Sequence, residues 1–155
     1  QLAWKLRCDE RVVNLERTNF RYCTREQIPE EIDFASVDVS FISLKIILPV
    51  MRELLKANGR AVCLIKPQFE AGREHLNKKG VVKDKDVHAR VIDEICNFAI
   101  ESGFDVISAD FSPVKGPEGN IEYLLYIEKS ENPQFIWEGG ANGLSDASHR
   151  ALDKE

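Results

Sequence analysis

With 155 residues, 43% hydrophobic and 30% charged, the chain has the composition of one ordinary globular domain with room for a sizeable core. Its formal net charge of −5 excludes a strongly basic protein that coats nucleic acid, while leaving space for a local basic patch. The longest uninterrupted apolar run, Ile46 to Met51, contains a proline and falls far short of the ~20 residues a bilayer span needs.

In chain order, Val12 to Leu15 reads as a short apolar strand, and Asn19 to Thr24 as a loop. Phe34 to Val39 is the next strand. Ser43 is placed to cap a helix opening at Leu44, whose Ile47, Leu48, Met51, Leu54 and Leu55 recur at three- and four-residue spacing. Pro49 is tolerated near the first turns or bends the helix, and Gly59 is expected to end the segment. Arg60 to Ile65 reads as a buried strand, closed by Lys66-Pro67. A polar loop follows from Gln68 to Lys85, in which Lys78, Lys79, Lys83 and Lys85 form either a basic patch or a solvated turn.

Asp86 is the expected cap of the next helix, with Val87, Val91, Ile92, Ile95, Phe98 and Ala99 on one stripe and Gly103 at its end. Phe104 to Phe111 and Ile121 to Ile127 read as two further strands. The turn-rich stretch between them, Ser112 to Asn120, is short enough to join them as an antiparallel hairpin. After Lys129 the pattern fades, and residues 130–155 are expected to be a flexible tail. This order predicts an α/β fold, a mostly parallel sheet with right-handed crossovers and an antiparallel C-terminal hairpin.

Cys8, Cys23, Cys63 and Cys96 form no C-x-x-C pair, and no His stands at metal-ligand spacing from them. Cys63 and Cys96 fall on apolar faces and are expected in the core. The pattern suits a reducing, cytoplasmic protein without a bound metal, and no apolar leader is evident at the start. His75, His88 and His149 share no ligand pattern and are expected to be solvated.

Asp38, Lys66 and Glu122 each end or lie within an apolar strand segment. In an open sheet such ends line the ligand crevice, and a charge there is costly unless it is paired or performs chemistry. An acid, a lysine and an acid therefore suggest one polar site. An ion-pair network that holds strand ends together is the other reading of the same three residues. No G-x-G-x-x-G turn follows any strand. The chain opens mid-pattern on Gln1-Leu-Ala-Trp, so further strands and a glycine-rich loop are expected upstream of this sequence.

Six stretches together are specific: QLAWKLR (1–7), VVNLERTNFR (12–21), DVSFISLKIILP (38–49), IKPQFEAGRE (65–74), GVVKD (80–84) and VKGPEGNIEYLL (114–125). As a set they resemble the TlyA group of rRNA 2′-O-methyltransferases, whose members also carry the name hemolysin, within the FtsJ-like methyltransferases. The resemblance covers most of residues 1–129. It implies a Rossmann-like S-adenosylmethionine fold with a Lys-Asp-Lys-Glu tetrad, of which Asp38, Lys66 and Glu122 stand in this sequence. The first lysine, the glycine-rich loop and a small RNA-binding domain would lie upstream.

The resemblance further implies a ribose hydroxyl as nucleophile and ribosomal RNA or a ribosomal subunit as partner. A neutral lysine can take the hydroxyl proton, and Lys66 is the candidate base. Burial favours a neutral lysine in general, whereas neighbouring carboxylates oppose it, so Asp38 and Glu122 can instead orient the lysine or the hydroxyl. Asn19, Phe20, Asp38 and Ser40 are candidates to hold the cofactor. Gln68, Phe69, Glu70 and Arg73, just after Lys66, are candidates for a substrate loop, and Lys115 for a contact to RNA phosphate. The competing functions are an RNA- or ribosome-binding module without catalysis and a membrane-active hemolysin.

Overall fold

The computed structural model describes residues 2–153. Gln1, Lys154 and Glu155 lie outside the described residues, and with them the first residue of the opening motif and the last two of the expected tail. In chain order the elements are α1 (Trp4–Arg7), β1 (Ile32–Val37), α2 (Leu44–Leu54), β2 (Leu55–Ile65), α3 (Pro67–Glu70) and α4 (Lys85–Glu101). They continue with β3 (Phe104–Phe111), β4 (Tyr123–Lys129) and α5 (Ala141–Leu152). Turns of 3₁₀ type occupy Phe20–Tyr22, Arg73–His75 and Pro117–Gly119.

The four strands form one sheet in the order β1-β2-β4-β3. β1 and β2 are parallel, as a strand–helix–strand unit requires. β4 is antiparallel to both β2 and β3. The expected hairpin is present, but its second strand inserts beside β2. Within these four strands only one pairing is therefore parallel. The insertion buries Tyr123, Leu125 and Ile127 of β4 completely, which is the physical gain from placing the more apolar strand of the hairpin inside.

α2 buries Leu44, Ile47, Leu48, Met51 and Leu54. α4 buries Val91, Ile92, Ile95, Cys96 and Ala99, and both stripes join the sheet in one core. Burial of each large aliphatic side chain contributes about 1.5–3 kcal/mol. Cys63 and Cys96 are fully buried, and burial pushes both thiols up to about 12. They serve as core residues.

Several expectations are corrected. Val12–Leu15 forms no strand, because no described strand offers it a ladder of hydrogen bonds, and Val13 stays exposed. Gly59 does not end α2. The helix stops at Leu54 and the chain passes directly into β2, where Leu55 already pairs with Ile32. Pro49 lies inside α2, which continues past it. Asp84, not Asp86, caps α4, its carboxylate accepting the Asp86 amide at 2.8 Å. β4 starts at Tyr123, two residues later than expected.

The largest correction concerns the tail. Residues 141–152 form α5, which packs on α4 and buries Ala141, Leu144, Ser145 and Ser148. Its buried face is half polar, which is why apolar periodicity fails to mark it. The hydroxyl of Ser145 donates to the Lys85 carbonyl at 2.7 Å, and that of Ser148 to the Ser145 carbonyl at 2.7 Å. His88 is wholly buried rather than solvated. Its Nε2–H donates to the Val82 carbonyl and its Nδ1 accepts from the Tyr123 hydroxyl, both at 2.7 Å. Ser148 Oγ lies 2.9 Å from that same phenol oxygen, so the network ties α4, β4 and α5 together. His149 is also largely buried, its ring against that of His88.

Candidate active site

The C-terminal ends of β1 and β2 and the N-terminal end of β4 lie along one edge of the sheet. The antiparallel register makes this specific. Ile65 pairs with Tyr123, so the next rung sets Lys66 beside Glu122. Glu122 thus precedes its strand, and it reaches the strand-end crevice because β4 runs opposite to β1 and β2. Both residues are buried, Lys66 at 7% and Glu122 at 6% exposure.

Lys66 Nζ forms an ion pair with the Asp38 carboxylate and lies 3.4 Å from Ser40 Oγ. The pair is asymmetric: the ammonium is almost fully covered, whereas the Asp38 side chain is 68% exposed. Glu122 accepts a 2.9 Å hydrogen bond from Gln68 Nε2. The loop before β4 presses on that carboxylate. A Cβ on Gly116 would lie 2.3 Å from Glu122 Oε2, so only glycine fits unless the acid moves.

Pro67 opens α3 at its first position, where its missing N–H costs nothing. One turn of helix then sorts the next three side chains. Gln68 and Phe69 line the cavity above Lys66, while Glu70 turns back to the start of α2. There it accepts the Ser43 hydroxyl at 2.6 Å and the Leu44 amide at 2.8 Å. Burial pushes the Glu70 carboxyl above its ordinary range, and these two hydrogen bonds oppose the shift. Ser43 itself caps α2 through the Lys45 amide at 3.0 Å.

The cavity, of about 690 Å³, is lined by Phe41, Lys66, Gln68, Phe69, Arg73 and Lys79 among others. Phe41 is 90% exposed, with φ of 63°, a conformation that costs a bulky residue energy. Its ring centroid lies 4.9 Å from that of Phe69. Glu118, with φ of 60°, lines the same cavity. Two of the four described non-glycine residues with positive φ thus line this cavity, the other two, Arg17 and Asn58, lying elsewhere.

A second, smaller cleft of about 270 Å³ opens beside β1, lined by Phe20, Val37, Asp38, Val39, Ile47 and Met51 among others. The Asn19 side-chain oxygen Oδ1 caps the 3₁₀ turn, accepting the Arg21 amide at 3.1 Å, and this directs Phe20 toward β1. Lys115 stands apart from both cavities and donates to Asp153, just beyond α5, at 2.5 Å. Of the four lysines around Gly80, Lys79 lines the larger cavity and Lys85 pairs with Asp146 of α5 at 3.3 Å.

Phe41 was not among the candidate site residues read from sequence, and Glu70, a candidate for the substrate loop, instead reaches the start of α2. An aromatic two residues before a helix cap carries no visible mark of positive φ, and the reach of Glu70 to α2 depends on the packing of distant elements. Among the described residues, no group of three or more His, Cys, Asp or Glu is arranged to hold a metal ion. No helix among them is long and apolar enough to cross a membrane.

A strand–helix–strand unit thus brings an acid, a lysine and an acid to one sheet edge, between two clefts. The FtsJ-like methyltransferase family model matches residues 1–129, and the chain belongs to that family. It is 52% identical over its whole length to a provisionally named rRNA methyltransferase, YqxC, of Bacillus subtilis, covering 57% of that protein. It is 40% identical over 99% of its length to TlyA of Mycobacterium tuberculosis, named a 16S/23S rRNA (cytidine-2′-O)-methyltransferase, covering 56% of it. A solved structure from Streptococcus thermophilus, provisionally named a hemolysin, superposes with a TM-score of 0.93 at 42% identity. The match covers 99% of this chain and 56% of that one. The chain thus spans a little over half the length of the curated relatives it matches.

Proposed function

We propose that this chain carries the acid–lysine–acid half of an S-adenosylmethionine-dependent ribosomal RNA ribose 2′-O-methyltransferase. The observation that supports it best is the buried Lys66 ammonium, paired with Asp38, at a cavity rimmed by an exposed, strained aromatic. The names of the rRNA-methylating relatives support the substrate class. A cytoplasmic location goes with that substrate.

The cleft beside β1 suits the cofactor by the chemistry of its walls. Phe20, Val39 and Met51 offer apolar contact to an adenosyl group, and Asp38 offers a carboxylate toward a sulfonium. Asn19 stands just outside, next to Phe20. When bound, S-adenosylmethionine supplies an electrophilic methyl group. The chain's own residues do the rest. After losing its own proton to solvent, Lys66 Nζ would take the proton of the ribose 2′-hydroxyl that receives the methyl group, the sulfonium departing as a neutral thioether. Asp38 and Ser40 then hold the resulting ammonium. Phe41 and Phe69 offer ring faces to a base, and Arg73 and Lys79 offer charge to backbone phosphate. Lys115 joins them only if it leaves Asp153.

The test is methyl transfer to ribosomal RNA by the complete protein that contains this chain. Lys66→Ala is expected to abolish transfer while the thermal melt stays close to that of wild type, because a crevice side chain carries little core packing. The wild-type product should carry the methyl on ribose and resist alkaline cleavage at that nucleotide. Full transfer by a well-folded Lys66→Ala protein removes Lys66 from the mechanism. A methyl on a base, or equal transfer to DNA, overturns the reaction class.

A further inference from the structure

We infer that Glu118 determines specificity for the target base: its carboxylate accepts a hydrogen bond from an exocyclic amine, so the cavity selects an amino-bearing base over uracil. This deepens the reading above and rests on it for RNA as the ligand of the cavity.

Phosphate carries the charge of RNA, so a cavity that takes RNA gains from cations. Lys66, Arg73 and Lys79 line this one, and Glu118 lines it with them. An exposed carboxylate there repels phosphate and weakens binding unless it meets a donor on the ligand. Among the described residues Glu118 forms no ion pair, so it does not serve to neutralise the neighbouring cations.

The backbone points the same way. Glu118 has φ of 60° and ψ of 11°, within the turn Pro117–Gly119. Glycine or asparagine holds that conformation at lower cost, so the turn itself does not call for glutamate. The turn is also fixed in place. The Gly116 amide donates to the Asn120 carbonyl at 2.7 Å. The Asn120 side-chain NH₂ donates to the Gly80 carbonyl at 3.1 Å and to the Pro117 carbonyl at 3.3 Å, and its Oδ1 accepts the Val82 amide at 3.2 Å. Asn120 is buried, which shields these bonds from water. Glu118 is therefore carried into the cavity lining on a preorganised loop, which lowers the ordering that binding requires.

Phe41 and Phe69 offer ring faces in the same cavity, but stacking tolerates every base. Discrimination needs a contact to a base edge. A carboxylate only accepts: it pairs with the amine at position 4 of cytosine and meets a second acceptor in the O4 of uracil.

The test uses the complete protein that contains this chain. Mass mapping identifies the nucleotide that wild type methylates, and a 2′-O-methyluridine product overturns the inference. Changing that nucleotide to uridine should lower the wild-type kcat/KM by at least about tenfold. Glutamine both donates and accepts, so in Glu118→Gln the two RNAs should differ by only about twofold, with a thermal melt close to that of wild type. An unchanged ratio, or an equal loss on both RNAs, assigns Glu118 to another role and overturns the inference.

A second measurement needs no catalysis. Wild type should bind a short oligocytidylate at least about fivefold tighter than an oligouridylate of the same length at fixed salt, and Glu118→Gln should bind the two alike. Equal binding of both by wild type overturns the inference even if methyl transfer is found. The expected preference without any methyl transfer removes the reaction and keeps the base contact.

Discussion

Phe41 shows how a residue can be held against its own preference. A phenylalanine in the left-handed region is strained, and here it gains little by burial, since 90% of it faces solvent. Burial does not explain that placement, and the base stacking proposed above would use it. Phe41→Gly should relieve the backbone and raise stability by up to about 1 kcal/mol. The same change should weaken RNA binding by about 1–3 kcal/mol, the worth of one stacked base. Urea melts and an RNA titration at fixed salt would measure the two effects. Unchanged RNA affinity would remove Phe41 from the interface. Lys66 offers the contrasting case. Its charge is visible in the sequence, and its strand-end position follows from the apolar run before it. Its pairing with Asp38, 28 residues away and just beyond β1, is already suggested by the two charges at strand ends.

At the scale of elements, Glu70 makes α2 and α3 depend on each other. Its carboxylate accepts two donors at the start of α2, so α2 holds the short helix that carries Gln68 and Phe69. Glu70→Ala leaves the Leu44 amide and Ser43 hydroxyl without this acceptor and should cost about 1–3 kcal/mol. The sign of the pH effect follows from burial. The folded-state carboxyl titrates above its ordinary value, so the native state binds the proton more readily than the unfolded one. Its contribution is full below the unfolded value and declines as pH rises through the raised one. The stability gap between wild type and Glu70→Ala should shrink over that window, as denaturant titrations at several pH values can record. A gap that widens with rising pH would contradict the assignment.

At the scale of the whole molecule, α5 closes the core. The His88–Tyr123–Ser148 contacts join it to the sheet one residue beyond Glu122, and the Lys115–Asp153 pair ties its end to the loop before β4. Burial pushes His88 down to about 4, against the raising effect of its hydrogen bond to the Val82 carbonyl. The unfolded chain therefore binds a proton that the folded chain refuses. Stability present above about pH 6.5 should be lost as pH falls through about 4, by about 3 kcal/mol in total. His88→Gln should be less stable at neutral pH and show a flatter acid limb. An acid limb as steep as that of wild type would place the sensitivity elsewhere.

The sequence by itself determined the local pieces: which segments alternate between strand and helix, that Ser43 caps α2, that Gly103 ends α4 with positive φ, and which charges stand at strand ends. Those features depend on spacing of a few residues, and spacing is written in the chain. Tertiary structure decided the rest. Only the insertion of β4 between β2 and β3 sets Glu122 beside Lys66, because a register between distant strands is chosen by the whole core. Only the packing of α4 gives α5 a surface, since a face of Ala141, Leu144, Ser145 and Ser148 buries too little apolar area to stand as a helix alone. The polar groups on that face become acceptable where His88, Tyr123 and the Lys85 carbonyl meet them, and no property of residues 130–155 foretells those partners.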